Sequence, residues 1–181
     1  MAVLNPIKED LREKAKKVRL LLLDVDGVLT DGRIIYDSGG RDLKFFDVHD
    51  GLGVYALKKS GIKTILITAK GSRAIRPRAL DMGVEKVFAN ITPKTIVLNK
   101  ILKDYKVDAS EICFAGDDLV DLCVMKRVGF PVAVFNAVPE IKQAASYITI
   151  RGGGRGAVRE IAEVILKSQG KWQDILKIYD I

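Results

Sequence analysis

A small set of polar side chains could do chemistry here, and each stands where an apolar run ends. Asp24 and Asp26 are two residues apart in Asp24-Val25-Asp26-Gly27, and the glycine lets the chain turn. Thr68 closes the run Lys63-Thr64-Ile65-Leu66-Ile67-Thr68. Lys94 falls in the first turn expected after Lys86-Val87-Phe88-Ala89. Gly116-Asp117-Asp118 ends a fourth run, with Asp121 one helical turn on. Each has an ordinary explanation by itself. An aspartate at a strand end often caps a helix, threonine favours strands, and lysine is usually solvated. On one rim, however, five carboxylates and one ammonium would be costly without a cation. A hard divalent ion such as Mg2+, which takes carboxylate and water oxygens, meets that need.

The elements that must position these groups follow from the hydrophobic pattern. Asn5-Pro6 reads as a cap and first turn, followed by one helical face of Ile7, Leu11, Ala15 and Val18. Residues 18–25 form a continuous apolar run, as in a strand buried on both faces. Residues 33–46 read as a β-hairpin around Asp37-Ser38-Gly39-Gly40. Helices are expected over 52–61, 72–82, 119–127, 139–145 and 157–168, and another from a Thr92 cap to Tyr105. Strands at 63–68, 86–89, 111–116, 131–135 and 147–150 alternate with them. A glycine-rich stretch, 151–156, precedes the last long helix, and a short amphipathic tail follows. The alternation predicts one domain over 1–181, a three-layer α/β/α sandwich with a mostly parallel, Rossmann-like sheet. Ligands in such sheets bind at the carboxyl ends of the strands, near a switch in strand order.

Composition removes several classes. The chain has 181 residues, 48% of them hydrophobic and 29% charged, enough for a packed core. No apolar run approaches the roughly 20 residues that span a bilayer. The N-terminal stretch is charged, without a signal-peptide core, so a cytoplasmic protein with no membrane partner is expected. Cys113 and Cys123 match no zinc spacing and read as buried small hydrophobes. The net charge of +7 fits a basic surface or an anionic substrate. The basic residues are scattered without an aromatic platform, so no nucleic-acid partner is expected.

Asp24-Val25-Asp26-Gly27-Val28-Leu29-Thr30, Thr68, Lys94 and Gly116-Asp117-Asp118-Leu119-Val120-Asp121 together resemble the four motifs of the haloacid-dehalogenase-like phosphohydrolases. The hairpin, residues 45–53, the stretch after Ala115, and 152–160 narrow the resemblance to the 3-deoxy-D-manno-octulosonate 8-phosphate phosphatase family, over about Leu20 to Gly170. The resemblance implies a Mg2+-dependent phosphatase in lipopolysaccharide precursor synthesis. Asp24 would be the nucleophile, giving an aspartyl-phosphate, and Asp26 the general acid and base. Asp24, the carbonyl of Asp26, and Asp117 would hold the metal. Thr68 and Lys94 would bind the phosphate, with Asp118 and Asp121 in support.

Neither gap between the motifs leaves room for a cap domain. The resemblance therefore implies a homotetramer whose hairpins wall one another's sites, through Ile34, Ile35, Tyr36, Leu43, Phe45 and Phe46. The alternative is that these residues cover their own domain. Asp47, Val48, His49, Asp50, Gly51 and Arg78 match substrate-contacting positions, and Arg155 lies on a segment that can act as a lid. Relatives commonly have arginine at His49, at Lys70 and, in some cases, at Tyr55. A lysine is a point charge without the guanidinium fork, and a histidine carries little charge at neutral pH. Another small phosphate, such as a nine-carbon 9-phospho sugar acid, is the rival substrate. A non-catalytic tetramerisation domain and a phosphoacceptor receiver are the rival classes, although the Asp-x-Asp-Gly on the first strand speaks against the receiver.

Overall fold

The computed structural model describes residues 8–180. The expected Asn5-Pro6 helix start and Ile7 lie outside them. Helix α1 (Glu9–Lys16) leads into β1 (Leu20–Leu23), whose four leucines are all buried. Burying each such side chain stabilises by about 1.5–3 kcal/mol. A small hairpin follows, β2 (Ile35–Tyr36) and β3 (Asp42–Leu43), with Ile35 opposite Leu43. Its turn is held by Asp37, whose carboxylate accepts the N–H groups of Gly39 and Arg41, both at 2.9 Å.

Next come α2 (Val48–Lys59), β4 (Lys63–Thr68), α3 (Ile75–Met82) and β5 (Lys86–Ala89). The chain then returns past β1 through α4 (Thr95–Tyr105), β6 (Ile112–Gly116), α5 (Leu122–Met125), β7 (Phe130–Ala133), α6 (Pro139–Ala144) and β8 (Tyr147–Ile148). It ends with α7 (Ala157–Ser168) and α8 (Trp172–Lys177). The main sheet is parallel throughout, in the order β5-β4-β1-β6-β7-β8. Strand order reverses at β1, so its carboxyl end opens between those of β4 and β6.

Helices α1, α2, α3 and α7 pack together, and α4, α5 and α6 form the other helical group. This is the predicted three-layer α/β/α architecture, and no cap interrupts it. Gly53 makes the α2–α7 contact possible, because a Cβ there would lie 2.9 Å from Cα of Arg159. Trp172 docks α8 onto α7, with the guanidinium of Arg159 5.2 Å from its ring centre. Among the described residues no helix is long and apolar enough to cross a membrane.

Several local expectations are corrected. Helix α2 starts four residues before the predicted 52, because the Asp47 carboxylate caps it by accepting the N–H of His49. Thr92 is not the cap of α4. Lys94 occupies that position and no side chain caps the helix. The helix predicted over 119–127 is a 3-10 turn, Leu119–Asp121, followed by one short α-helical stretch. The Asp118 and Asp121 carboxylates cap that turn reciprocally, which favours the tighter winding. Cys113 is buried as expected, but Cys123 is only half-buried.

Candidate active site

Asp24 leaves the end of β1 with its N–H donating to the carbonyl of Ala115 on β6 at 3.1 Å. It is 5% exposed. Lys94, at the start of α4, turns inward instead of into solvent. Its Nζ donates to Oδ1 of Asp24 and to Oδ1 of Asp121, each at 2.6 Å. Three buried charges therefore sum to one net negative charge. The second oxygen of Asp121 accepts the N–H of Asp117 at 2.9 Å and that of Asp118 at 3.4 Å. Asp121 thus fixes the lysine and the loop after β6 at once. Gly116 makes space for it, since a Cβ there would lie 2.5 Å from Cβ of Asp121.

The electrostatics follow from this crowding. Burial, then repulsion from Asp121, pushes the Asp24 carboxyl up to about 6 despite Lys94. Burial and the carboxylates of Asp24, Asp121 and Asp118 push Asp117 up to about 7. Burial works against the Lys94 ammonium, but Asp24 and Asp121 hold it above the ordinary lysine value. Oxygens of Asp24, Asp117 and Asp121 lie within 4.8 Å of one another. These are hard, anionic donors short of positive charge, and they fit a divalent cation. With both oxygens of Asp121 engaged, Asp24 and Asp117 offer the available carboxylate atoms. Gly27 admits Asp117 to this place. Its φ is +88°, and a Cβ there would be 1.9 Å from Oδ2 of Asp117.

Asp26 lies on the same loop, and its carboxylate pairs with Lys44, which the hairpin brings in nearly buried. Thr68 ends β4 and is buried. Its hydroxyl donates to the carbonyl of Lys70 at 3.0 Å and accepts the N–H of Lys70 at 3.2 Å. Asp118 accepts the N–H of Leu119 at 2.7 Å. The structure thus gathers Asp24, Lys94, Asp117 and Asp121 into one cluster, with Asp26, Thr68 and Asp118 on the loops around it.

The residues read as sugar-acid contacts separate into two groups. Val48 and His49 are exposed on the first turn of α2, and Asp47 binds the His49 ring Nδ1 at 2.9 Å. Asp50 and Gly51 are buried. Oδ1 of Asp50 accepts the N–H of Arg159 at 2.8 Å, which caps α7 from outside. Arg78 donates from Nη2 to the carbonyl of Asp47 at 2.8 Å and pairs with Asp81. Gly51 passes under it, where a Cβ would meet Nη2 at 2.5 Å. Asp50, Gly51 and Arg78 therefore also build the start of α2. Lys70 reaches the hydroxyl of Tyr36 at 3.2 Å, and Arg155 reaches Asp31 at 3.5 Å.

Sequence reasoning missed two residues here. One is Lys44, which nothing in a hairpin limb marks out. The other is Asn136. Its Nδ2 donates to the carbonyl of Gly27 at 3.0 Å and its Oδ1 accepts the N–H of Gly153 at 2.6 Å. The strand-end rule that found Asp24 and Asp117 could have found Asn136, which stands just past β7.

An acid pair on the first of several parallel strands, a buried lysine and an acidic loop after β6 define a haloacid dehalogenase-like hydrolase, and the profile of that family matches residues 82–156. The chain is 38% identical over 167 residues to the 3-deoxy-D-manno-octulosonate 8-phosphate phosphatase KdsC of Escherichia coli (strain B / BL21-DE3), covering 92% of this chain and 89% of that one. It belongs to that phosphatase family. A solved structure of the Moraxella catarrhalis phosphatase, in complex with magnesium, phosphate and KDO, is 37% identical. It superposes with a TM-score of 0.92 over 95% of this chain and 99% of that one. The cobalt-bound Haemophilus influenzae phosphatase is 35% identical, with a TM-score of 0.84 over 87% of this chain and 92% of that one.

Proposed function

We propose that this chain hydrolyses 3-deoxy-D-manno-octulosonate 8-phosphate to the free sugar acid and phosphate, with Mg2+ as cofactor. The observation that carries this is the buried Asp24–Lys94–Asp121 cluster beside Asp117, in a chain 38% identical to such a phosphatase over 92% of its length. Lys94 orients the Asp24 carboxylate, one oxygen of which attacks phosphorus. The P–O bond to the sugar breaks as the Asp24–phosphorus bond forms. Asp26 gives its proton to the leaving sugar oxygen, then takes one from the water that hydrolyses the aspartyl-phosphate. Lys94 keeps Asp24 oriented, and the Thr68 hydroxyl turns from Lys70 to the phosphate. Mg2+, held by Asp24, Asp117 and the carbonyl of Asp26, would supply charge neutralisation between the phosphate dianion and the carboxylates.

The same reading makes the protein a cytoplasmic homotetramer of single-domain chains. Ile34, Tyr36, Phe45 and Val48 are exposed on and beside the hairpin, an apolar surface suited to a second copy. Light scattering should give four chains per particle, and a fully active monomer would overturn the shared wall.

The deciding experiment is phosphate release from the eight-carbon acid phosphate, with Mg2+ or EDTA, beside a panel of other sugar phosphates. Metal-dependent preference of about tenfold or more, roughly 1.4 kcal/mol, is the expected result. Better turnover of a nine-carbon acid phosphate would move the substrate and keep the chemistry. No turnover of any phosphate would leave a non-catalytic tetramer.

A further inference from the structure

A cleft of about 600 Å3 opens beside the catalytic loop, between the hairpin limbs, the first turn of α2 and the glycine loop before α7. It adjoins the reacting groups through three links. Lys44 pairs with Asp26, and the next three residues, Phe45, Phe46 and Asp47, line the cleft. Gly154, also in the lining, donates its N–H to the carbonyl of Val28 at 3.0 Å. Asn136 joins Gly27 to Gly153. A substrate with its phosphate at Asp24 would extend its body along this wall.

Two guanidinium groups line the cleft, those of Arg33 and Arg155. Both lean on one carboxylate, Asp31, at 3.7 Å and 3.5 Å. A guanidinium carries five donors, and its strong pairs with carboxylates are close and bidentate. Neither contact is of that kind, so most of the donors remain available. The other acid in the lining, Asp47, is already occupied by the N–H and the ring of His49. In the single chain Arg33 is 75% exposed and Arg155 68%.

We infer that Arg33 and Arg155 together read the carboxylate of a sugar-acid phosphate, with Arg33 as a specificity-determining residue. The inference rests on the function proposed above. It assigns the fork that a carboxylate requires to two residues from separate segments, the start of the hairpin and the glycine loop, whose guanidinium groups meet at one oxygen of Asp31. With the acids of the lining, Asp31 and Asp47, already in contact with basic or N–H groups, those guanidinium groups are the lining's charged partners for an acid.

The test measures kcat and KM for wild type, Arg33→Gln and Arg155→Gln. One substrate is 3-deoxy-D-manno-octulosonate 8-phosphate, and the other is arabinose 5-phosphate, which has a phosphate and no carboxylate. Each variant is expected to raise KM for the acid about tenfold or more and to stay within about twofold of wild type on the neutral sugar. Arg33→Lys should recover only part of the loss, because an ammonium lacks the fork. Equal losses on both substrates, or no loss on the acid, would overturn the assignment while the proposed function stood. A wild type with no preference for the acid would overturn the function, and this inference with it.

Discussion

The carboxylate of Asp50 accepts the backbone N–H of Arg159 at 2.8 Å, so the first turn of α2 caps the start of α7. Gly156, at the N-cap position of α7, has no side chain to do this. Asp50 is 1% exposed, and its second oxygen has no hydrogen-bond partner. Burial pushes its carboxyl up to about 6 from an ordinary 3.8. The folded state therefore binds this proton more tightly than the unfolded chain does. The stability linked to it is fully present below pH 4 and is lost as pH rises through 6. Asp50→Asn keeps an acceptor without the charge. It should be about 1–3 kcal/mol more stable than wild type at pH 8, with the gap closing near pH 4, by urea unfolding. Unchanged KM would place Asp50 in the scaffold, and a large rise in KM would return it to the substrate.

Lys94 is the only ammonium bonded to Asp24 and Asp121 among the described residues. Removing one partner of a buried ion cluster costs about 3–5 kcal/mol, because the remaining charges lose their solvation substitute. Lys94→Met should lose stability of that order at pH 8 and lose turnover by about a thousandfold or more. The stability loss should shrink as pH falls toward 6, because without Lys94 the Asp24 carboxyl is pushed up further and takes up a proton at higher pH than in wild type. A variant as stable as wild type at pH 8 would mean that water enters the cluster.

Much of this site was legible because parallel strands buried on both faces announce themselves. Leu20 to Leu23 read as such a strand, and the acids at its end and after Gly116 were found by position alone. Gly83 and Pro139 marked a helix end and a helix start correctly, since left-handed φ and a missing N–H are local requirements. What the sequence does not show is set by distant partners. Asp50 lies on the stretch read as a substrate loop, and its cap on Arg159 joins residues 109 apart. Arg78 is marked out only by its match to a substrate-contacting position, and its bond to the carbonyl of Asp47 joins residues 31 apart. No local pattern records either contact.

Metal removal should act through the same carboxylates. Without a cation, Asp24 is pushed up to about 6 and Asp117 to about 7, so both resist ionisation in the folded chain. Their contribution to metal-free stability is present at low pH and lost as pH rises through 6 to 7. Mg2+ should therefore raise Tm strongly at pH 8 and little at pH 5.5. A ligand at a hundred times its Kd contributes about 2.7 kcal/mol. An equal Tm shift at both pH values would show that protons and Mg2+ do not compete here.

Asn136 offers the most direct test of how the glycine loop serves the catalytic loop. One amide holds both, through the carbonyl of Gly27 and the N–H of Gly153. The approach is so close that a Cβ on Gly153 would fall 1.8 Å from that same carbonyl. Gly27 follows Asp26 directly and faces Asp117, so a shift there moves the proposed acid and the acidic cluster together. Asn136 is itself at the surface, and a neutral hydrogen bond contributes only about 0.5–1.5 kcal/mol net. Asn136→Ala should therefore change Tm by a few degrees at most. It should lower kcat about tenfold and raise amide exchange over 151–156. Gly153→Ala, which must push the loop away, should do more on both counts. If both variants kept full kcat while the loop exchanged freely, the catalytic loop would hold its geometry without the clamp.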